Sequence, residues 1–362
     1  MTPHPFSTAC FPGTGGVLKE RPGDFLVEET PLYEPAGTGE HLFLFIEKTG
    51  LSTDEALRLA GRAFGVGRGA MGVAGQKDKQ AVTRQWISIH LPGVRDSVAA
   101  QGIEAFGADP EQVRVLRAGR HANKLRLGHH AGNRFVIKVR QVTPLAAVRA
   151  RPVLEWLAIN GAPDFVGTQR FGRDGDGAEM GRQLLTGMAP PEVARLPRER
   201  RAFFLSAFQS EIFNRVLARR VQDGTWNRLL PGDLAMKHDN GSLFAVDEAL
   251  AQVENGEGGR IASVDISPSG PLWGDSMLQG AGVVGELEKE VLAESGFTPE
   301  TYAAACTRIG GDNTHGARRP LRIPVRETAL SFSVDEHGPF LQVAFLLPKG
   351  AFATEVLREI MK

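Results

Sequence analysis

Two-residue and helical periodicities divide this chain into stretches of different character. Leu42-Phe43-Leu44-Phe45-Ile46 is an unbroken apolar run closed by Lys48-Thr49-Gly50, the pattern of a buried strand. Trp86-Ile87-Ser88-Ile89-His90-Leu91 reads as a second strand and residues 135–142 as a third. In the third, Phe135, Ile137 and Val139 share one face, while Arg134, Lys138 and Arg140 share the other. Pro22-Gly23-Asp24-Phe25 places a turn among the extended residues 17–29. Ser52-Thr53-Asp54-Glu55 offers a capping box, and Ala56, Leu57, Leu59, Ala60, Ala63 and Phe64 follow it at helical spacing. A proline start and a glycine stop predict a helix over residues 152–160.

From about residue 160 helices dominate, notably residues 201–221, which carry Phe204, Phe208, Ile212 and Val216. A glycine-rich mixed region runs through Gly232, Gly256-Glu257-Gly258-Gly259 and Ser267-Pro268-Ser269-Gly270. After a break near Gly310-Gly311-Asp312-Asn313 come two strands, residues 330–335 and 340–347, and a last helix with Val356, Leu357 and Ile360. No internal repeat and no disordered tract interrupts the pattern. A mixed first part, a distinct middle and a strand-rich tail fit one domain interrupted by another, with both chain ends in one sheet.

Bulk properties exclude several classes. At 362 residues, 42 % apolar and 23 % charged, the chain is long enough for two domains with sizeable cores. Its longest apolar runs, residues 42–46 and 345–347, fall far short of the roughly 20 residues that span a bilayer. Met1-Thr2-Pro3-His4-Pro5 lacks the pattern of a secretory signal, and Cys10 and Cys306 form no metal or disulfide framework. A soluble cytoplasmic protein is the expectation. Net charge is zero, yet residues 112–154 hold ten Lys or Arg and no acid, whereas residues 231–300 hold thirteen acids against three bases. That segregation predicts a local field able to draw a polyanion.

The chemistry concentrates in Gly75-Gln76-Lys77-Asp78-Lys79-Gln80-Ala81-Val82-Thr83-Arg84-Gln85-Trp86. Two ammonium groups flank one carboxylate in a glycine-containing turn that leads into a strand. The cations favour the ionised form, which suits attack on an electron-poor carbon better than proton donation. They would also attract phosphate. On charges alone, a solvated loop explains the same residues.

The whole string resembles the central motif of the TruD family of pseudouridine synthases, in which Ala-Gly-(Leu/Gln)-Lys-Asp-(Arg/Lys)-x-Ala-Val-Thr-x-Gln-Trp surrounds the catalytic aspartate. The resemblance spans essentially the full chain. It implies an α+β fold: a pseudouridine synthase-type mixed or antiparallel sheet core, residues 1–158 and 319–362, interrupted by an α+β insertion domain, residues 159–318. It implies isomerisation of uridine 13 in tRNA to pseudouridine, with RNA between the domains and no cofactor. Asp78 takes the place of the catalytic carboxylate.

Further motifs carry the resemblance onto other residues. Gly16-Val17-Leu18-Lys19-Glu20-Arg21-Pro22-Gly23-Asp24-Phe25-Leu26-Val27-Glu28-Glu29 resembles the family's N-terminal motif, making Lys19 a cation for Asp78 or a phosphate and Phe25 a stacking or packing residue. Lys124-Leu125-Arg126-Leu127-Gly128-His129-His130-Ala131-Gly132-Asn133-Arg134-Phe135 resembles a second signature, a Gly-Asn-x-Phe turn entering a strand beside the aspartate. Asn133 offers both a donor and an acceptor, and Phe135 offers a face for a flipped base, where most pseudouridine synthases use tyrosine. Phe165-Val166-Gly167-Thr168-Gln169-Arg170-Phe171-Gly172-Arg173-Asp174-Gly175 resembles Asn-Tyr-Phe-Gly-x-Gln-Arg-Phe-Gly; Asp164, Phe165 and Val166 replace the usual Asn, Tyr and Phe, and Gly177 falls near a usual Asn. Arg170 is intact and could pair with phosphate or with a carboxylate of the fold. Leu347-Pro348-Lys349-Gly350-Ala351-Phe352 opens a stretch resembling the family's C-terminal end. Lys77 joins Lys19, Phe25, Asn133, Phe135 and Arg170 as expected to bind the substrate.

Three decoys fail on context. Gly67-Arg68-Gly69-Ala70-Met71-Gly72 matches G-x-G-x-x-G but follows a helix and precedes a strand, the reverse of dinucleotide-binding order. Asp174-Gly175-Asp176-Gly177-Ala178-Glu179 departs from a calcium loop at its fifth and sixth positions. His129-His130 has no further ligand at metal spacing. The expected partner is therefore tRNA, with no metal, cofactor or membrane, and a monomer is expected. Two competing readings are a non-catalytic tRNA-binding or folding protein on the same fold, and a metal-dependent phosphoesterase using Asp78, Asp174 and Asp176.

Overall fold

A computed structural model describes residues 4–172, 174–311 and 314–362, so Met1 to Pro3, Arg173 of the arginine motif, and Asp312-Asn313 at the expected break lie outside the described residues. The fold is α+β, in two compact units. One comprises Gly13–Arg151, Arg326–Gly350 and Met361–Lys362; the other comprises Met1–Pro12, Pro152–Val325 and Ala351–Ile360. The divisions at 151/152 and 325/326 stand beside the 158/159 and 318/319 boundaries expected from the resemblance, and segments near both chain ends join the second unit.

The first unit is built on an eight-stranded mixed sheet. Its early strands are β1 (Phe25–Pro31), β2 (His41–Thr49), β3 (Met71–Val73), β4 (Val82–His90), β5 (Val113–His121) and β6 (His130–Arg140). The late strands Arg326–Asp335 and Gly338–Pro348 return beside β6, giving the order Arg326–Asp335, Gly338–Pro348, β6, β1, β4, β2, β5, with β3 paired to β4. Among the described residues only β1 and β4 run parallel, in the register Leu26 to Val82 and Glu28 to Arg84. Helix α1 (Thr53–Phe64) begins with the expected capping box: Ser52 accepts from the Glu55 amide at 3.2 Å, and Glu55 accepts from the Ser52 amide at 2.7 Å. Its buried Ala56, Leu57 and Ala60 pack on Leu42, Leu44, Ile46, Ile87 and Ile89. Alternation sends Phe43, Phe45 and Trp86 to the opposite face.

Two elements of this unit carry only a weak apolar pattern and are not expected from the sequence. Edge strand β5 carries Arg114, Arg117 and Arg120 among mostly unburied positions, and helix α2 (Asp96–Phe106) buries only Ala99, Gly102 and Phe106. The helix expected over residues 152–160 instead runs Leu145–Asn160 with Pro152 inside it. Ala146, Ala150, Val153 and Leu157 recur at helical spacing and are fully buried, which offsets the missing N–H of the proline.

The second unit centres on the 25-residue helix Arg198–Gln222, which buries Leu205, Phe208, Ile212 and Val216. A four-stranded sheet accompanies it, and its buried inner strand Ile266–Leu272 contains the Ser-Pro-Ser-Gly stretch of the glycine-rich mixed region. Gly270 there lies so close to Phe213 and Leu321 that a Cβ would stand 2.8 Å from the leucine, so packing demands the glycine. Among the described residues no helix is long and apolar enough to cross a membrane.

One buried ion cluster ties the first unit together. Arg140 at the end of β6 donates to Asp24 Oδ1 and Oδ2 at 2.6–2.9 Å and to both oxygens of Asp335 at 2.9 Å. It joins the turn before β1 to a late strand, and Asp24 is almost fully buried. Replacing Arg140 with methionine would strand Asp24 as an uncompensated buried charge. Urea unfolding of Arg140→Met is expected to show a loss of about 3–5 kcal/mol; an unchanged midpoint would mean the cluster contributes nothing net.

Candidate active site

Residues 74–81 connect β3 to β4, and among residues 76–80 only Lys77 is not exposed. Lys77 turns inward: its Nζ donates to Glu29 Oε2 at 3.1 Å, with side-chain exposures of 6 % and 0 %. Asp78 is exposed, and its carboxylate has no hydrogen bond or ion pair among the described residues. Lys79 reaches Glu55 at 3.0 Å. Both lysines expected to draw phosphate to Asp78 are thus engaged by carboxylates; for Lys77 the reason is that a desolvated ammonium requires a partner. Gly75 lets this happen: a Cβ there would stand 3.0 Å from Lys77 Nζ and 3.2 Å from Glu29 Oε2.

Glu29 comes from β1, where the parallel pairing with β4 brings it under the loop; it also accepts from the Trp86 amide at 3.2 Å. Burial raises its carboxyl above the usual range, against the opposing pull of Lys77. His130, which a Cβ on Gly75 would also approach, is pushed down to about 4 by burial, with Lys77 and Lys349 acting in the same direction. That shift favours the neutral imidazole, and its Nδ1 has no hydrogen-bond partner among the described residues.

Beneath the loop lies a polar group that the motif reading did not single out. Lys48 of β2 is 1 % exposed, and its Nζ donates to the carbonyls of Leu51, Asp78 and Lys77 at 2.5, 3.2 and 3.4 Å. Burial pushes its ammonium down to about 8, while the Asp78 charge pulls it back up. Thr53 Oγ1 accepts from the Lys77 amide at 2.9 Å and donates to Gln85 Oε1 at 3.1 Å. The sequence does hold a signal for Lys48, since the alternation 42, 44, 46, 48 places it on the apolar face of β2.

The other residues of this unit expected to bind substrate cluster on β1 and β6. Lys19 Nζ sits 4.6 Å over the Phe25 ring and forms no ion pair with a described residue. Phe25 meets Phe135 edge-on at 6.2 Å, and Phe135 packs on Phe345 at 5.6 Å. Asn133 faces Glu29 across the β1–β6 pairing, and its Oδ1 is buried without a donor. Of nine buried polar side-chain atoms without partners among the described residues, four belong to Thr83, Gln85, His130 and Asn133 around the loop. Thr83 and Gln85 are fully buried, so these groups belong to the interior that backs the loop.

Arg170 belongs to the second unit and is described with it. It is exposed on the short 3-10 turn Thr168–Phe171, and it reaches the Ser206 hydroxyl at 3.5 Å rather than a carboxylate. Desolvation and the neighbouring Arg319 hold its guanidinium below the usual range. Asp164, at one of the motif's departures, is buried and takes Arg319 as its partner at 2.7 Å; burial pushes it up to about 7. Phe165 stacks on His4 at 4.2 Å as a core residue.

The field expected from residues 112–154 is mostly cancelled. Six of its ten bases pair with acids from elsewhere: Arg114 with Glu47, Arg117 with Glu34, Arg120 with Asp96, Arg134 with Glu327, Lys138 with Asp335, and Arg140 with Asp24. Segregation along the chain is not segregation in space, because strand pairing interleaves distant segments. By contrast Arg195, Arg200 and Arg201, at the start of the long helix of the second unit, form no ion pair among the described residues.

The profile of tRNA pseudouridine synthase D (TruD) matches residues 6–193 and 189–360. A relative named tRNA pseudouridine synthase D from Anaeromyxobacter dehalogenans is 42 % identical over 368 residues, covering 100 % of this chain and 97 % of the relative. A relative of the same name from Thermus thermophilus is 39 % identical over 363 residues, covering 99 % and 92 %. The fold is similar to the crystal structure of a TruD protein from Methanosarcina mazei, with a TM-score of 0.81 and 25 % identity over 99 % of this chain and 95 % of that one.

The Lys77–Glu29 pair can be tested by a double-mutant cycle in urea. Lys77→Met alone leaves Glu29 buried without its cation and is expected to destabilise strongly. Adding Glu29→Gln should recover part of that loss, with a coupling of about 1 kcal/mol or more. Strict additivity would show that the two groups do not depend on one another.

Proposed function

This chain belongs to the TruD family of tRNA pseudouridine synthases, and from that membership we propose that it isomerises uridine 13 of tRNA to pseudouridine, with Asp78 as catalytic carboxylate. The observation that carries the assignment of the residue is the contrast within the loop. Lys77 and Lys79 are both engaged, whereas the Asp78 carboxylate between them is exposed and unpartnered on a backbone held from below.

A uridine inside folded tRNA must be extruded, at a cost of a few kcal/mol. Phe25 and Phe135 are buried at 6 % and 7 % exposure and back the strand face near the site, while Lys19 lies over the Phe25 ring as a cation for a phosphate. Asn133, half-buried on β6 opposite Glu29, is the polar side chain we assign to the base. Lys77 serves the site from beneath, through Glu29. Asp78 assists rupture of the N1–C1′ bond by attack at C1′, by attack at C6, or by removal of a sugar proton. The uracil then turns, C5 bonds to C1′, and the C5 proton departs. No step needs an oxidant, a reductant or a cofactor, and the cytoplasm is the compartment that holds this substrate.

Arg170, Arg195, Arg200 and Arg201 in the second unit are the bases we assign to the RNA backbone, since none has a carboxylate partner among the described residues. Salt dependence tests them: Arg195→Ala with Arg200→Ala should weaken tRNA binding and flatten the salt slope by about one for each phosphate no longer neutralised. An unchanged slope would remove them from the interface.

Pseudouridine mapping on an unmodified tRNA transcript with uridine at position 13 tests the reaction itself. Wild type is expected to give product there, and a folded Asp78→Asn variant none. Product from both would relieve Asp78 of its role. Binding without product from either would leave a tRNA-binding protein on the same fold.

A further inference from the structure

We infer that Lys48, Thr53 and Gln85 form a buried cradle that positions Asp78, an assignment that rests on the catalytic role proposed for that aspartate. None of the three can touch a substrate, since their exposures are 1 %, 1 % and 0 %. They grip the peptide units on both sides of Lys77 and Asp78. The Lys48 ammonium takes the carbonyls of Lys77 and Asp78, while the Thr53 hydroxyl takes the Lys77 amide and is itself oriented by Gln85. Three elements contribute: β2, the first turn of α1, and β4. With the backbone held at these points, the torsions of the Asp78 side chain are the main freedom left to its carboxylate.

Stability alone is a poor reason for this arrangement. Lys48 continues the apolar face of Leu42, Leu44 and Ile46, where an aliphatic side chain would cost no desolvation. Buried charges are often replaceable by apolar groups without loss of stability. What an aliphatic residue cannot do is bind three carbonyls at once. The Lys77–Glu29 pair does not duplicate the cradle, because it holds the Lys77 side chain and leaves the Asp78 peptide untouched.

Positioning is separable from folding at Thr53. Thr53→Val keeps shape and volume and spares the Ser52–Glu55 capping box, but deletes both hydrogen bonds; Thr53→Ser keeps the hydroxyl. Single-turnover pseudouridine formation at saturating tRNA is expected to fall about 10- to 100-fold in Thr53→Val, the scale of a misplacement near 1 Å. The Kd for tRNA should stay within about twofold, and Thr53→Ser should restore most of the rate. Lys48→Met, if it folds, should follow Thr53→Val. A rate unchanged in Thr53→Val while the melting temperature drops would overturn the inference and leave a structural role. A Kd that rises in step with the fall in rate would overturn it as well. Amide hydrogen exchange over residues 76–79 reads the cradle even if the wild type forms no pseudouridine, a result that would count against the parent reading. Faster exchange confined to that loop in Thr53→Val supports the cradle, and unchanged exchange overturns it.

Discussion

The ion pair between Lys77 and Glu29 is the constraint on which the site depends. A fully buried carboxylate on β1 can be tolerated only with a cation beside it, and the loop before β4 supplies that cation. With Lys77 committed inward, its neighbour Asp78 stays on the exposed side of the loop. Asp78 is therefore presented to solvent by the same interaction that closes the core beneath it. The parallel pairing of β1 with β4 makes this possible, because it brings Glu29 to the level of the loop and of the Trp86 amide.

Around that pair the unit trades stability for placement. Lys48 and Glu29 are charged groups in positions that strand alternation assigns to the interior, and four polar atoms nearby lack partners. Elsewhere in the same unit buried charge is fully satisfied, as in the bond network of Arg140 with Asp24 and Asp335. Within one sheet, charge at the strand junction is fully bonded, whereas polar groups beneath the loop are packed with fewer partners.

The electrostatic reading changes most between chain and fold. Ten bases without an acid in residues 112–154 read as a polyanion surface, yet six are matched by carboxylates brought in from β2, α2 and the late strands or the loops beside them and β1. Such pairs on an exposed edge contribute little to stability, but they cancel the local potential. Arg195, Arg200 and Arg201 around the helix start of the second unit, and Arg170 on its turn, are without a carboxylate among the described residues. A local count of charges along a sequence cannot find them, since the partners lie far along the chain or on a neighbouring strand.

Much of the architecture was legible because it rests on local physics. The capping box of α1, the alternation in β2 and β6 and the long amphipathic helix all follow from side chains a few residues apart. Family membership was legible because the residues around Asp78 form a specific string. Elements without a local signature were not: β5 is a polar edge strand, Ile266–Leu272 hides in prolines and glycine, and Leu145–Asn160 runs through a proline on the strength of its buried face. The roles of Lys77 and Lys48 also escaped, for a common reason. Whether a lysine meets phosphate, a carboxylate or three carbonyls depends on which strands become neighbours, and only the folded sheet determines that.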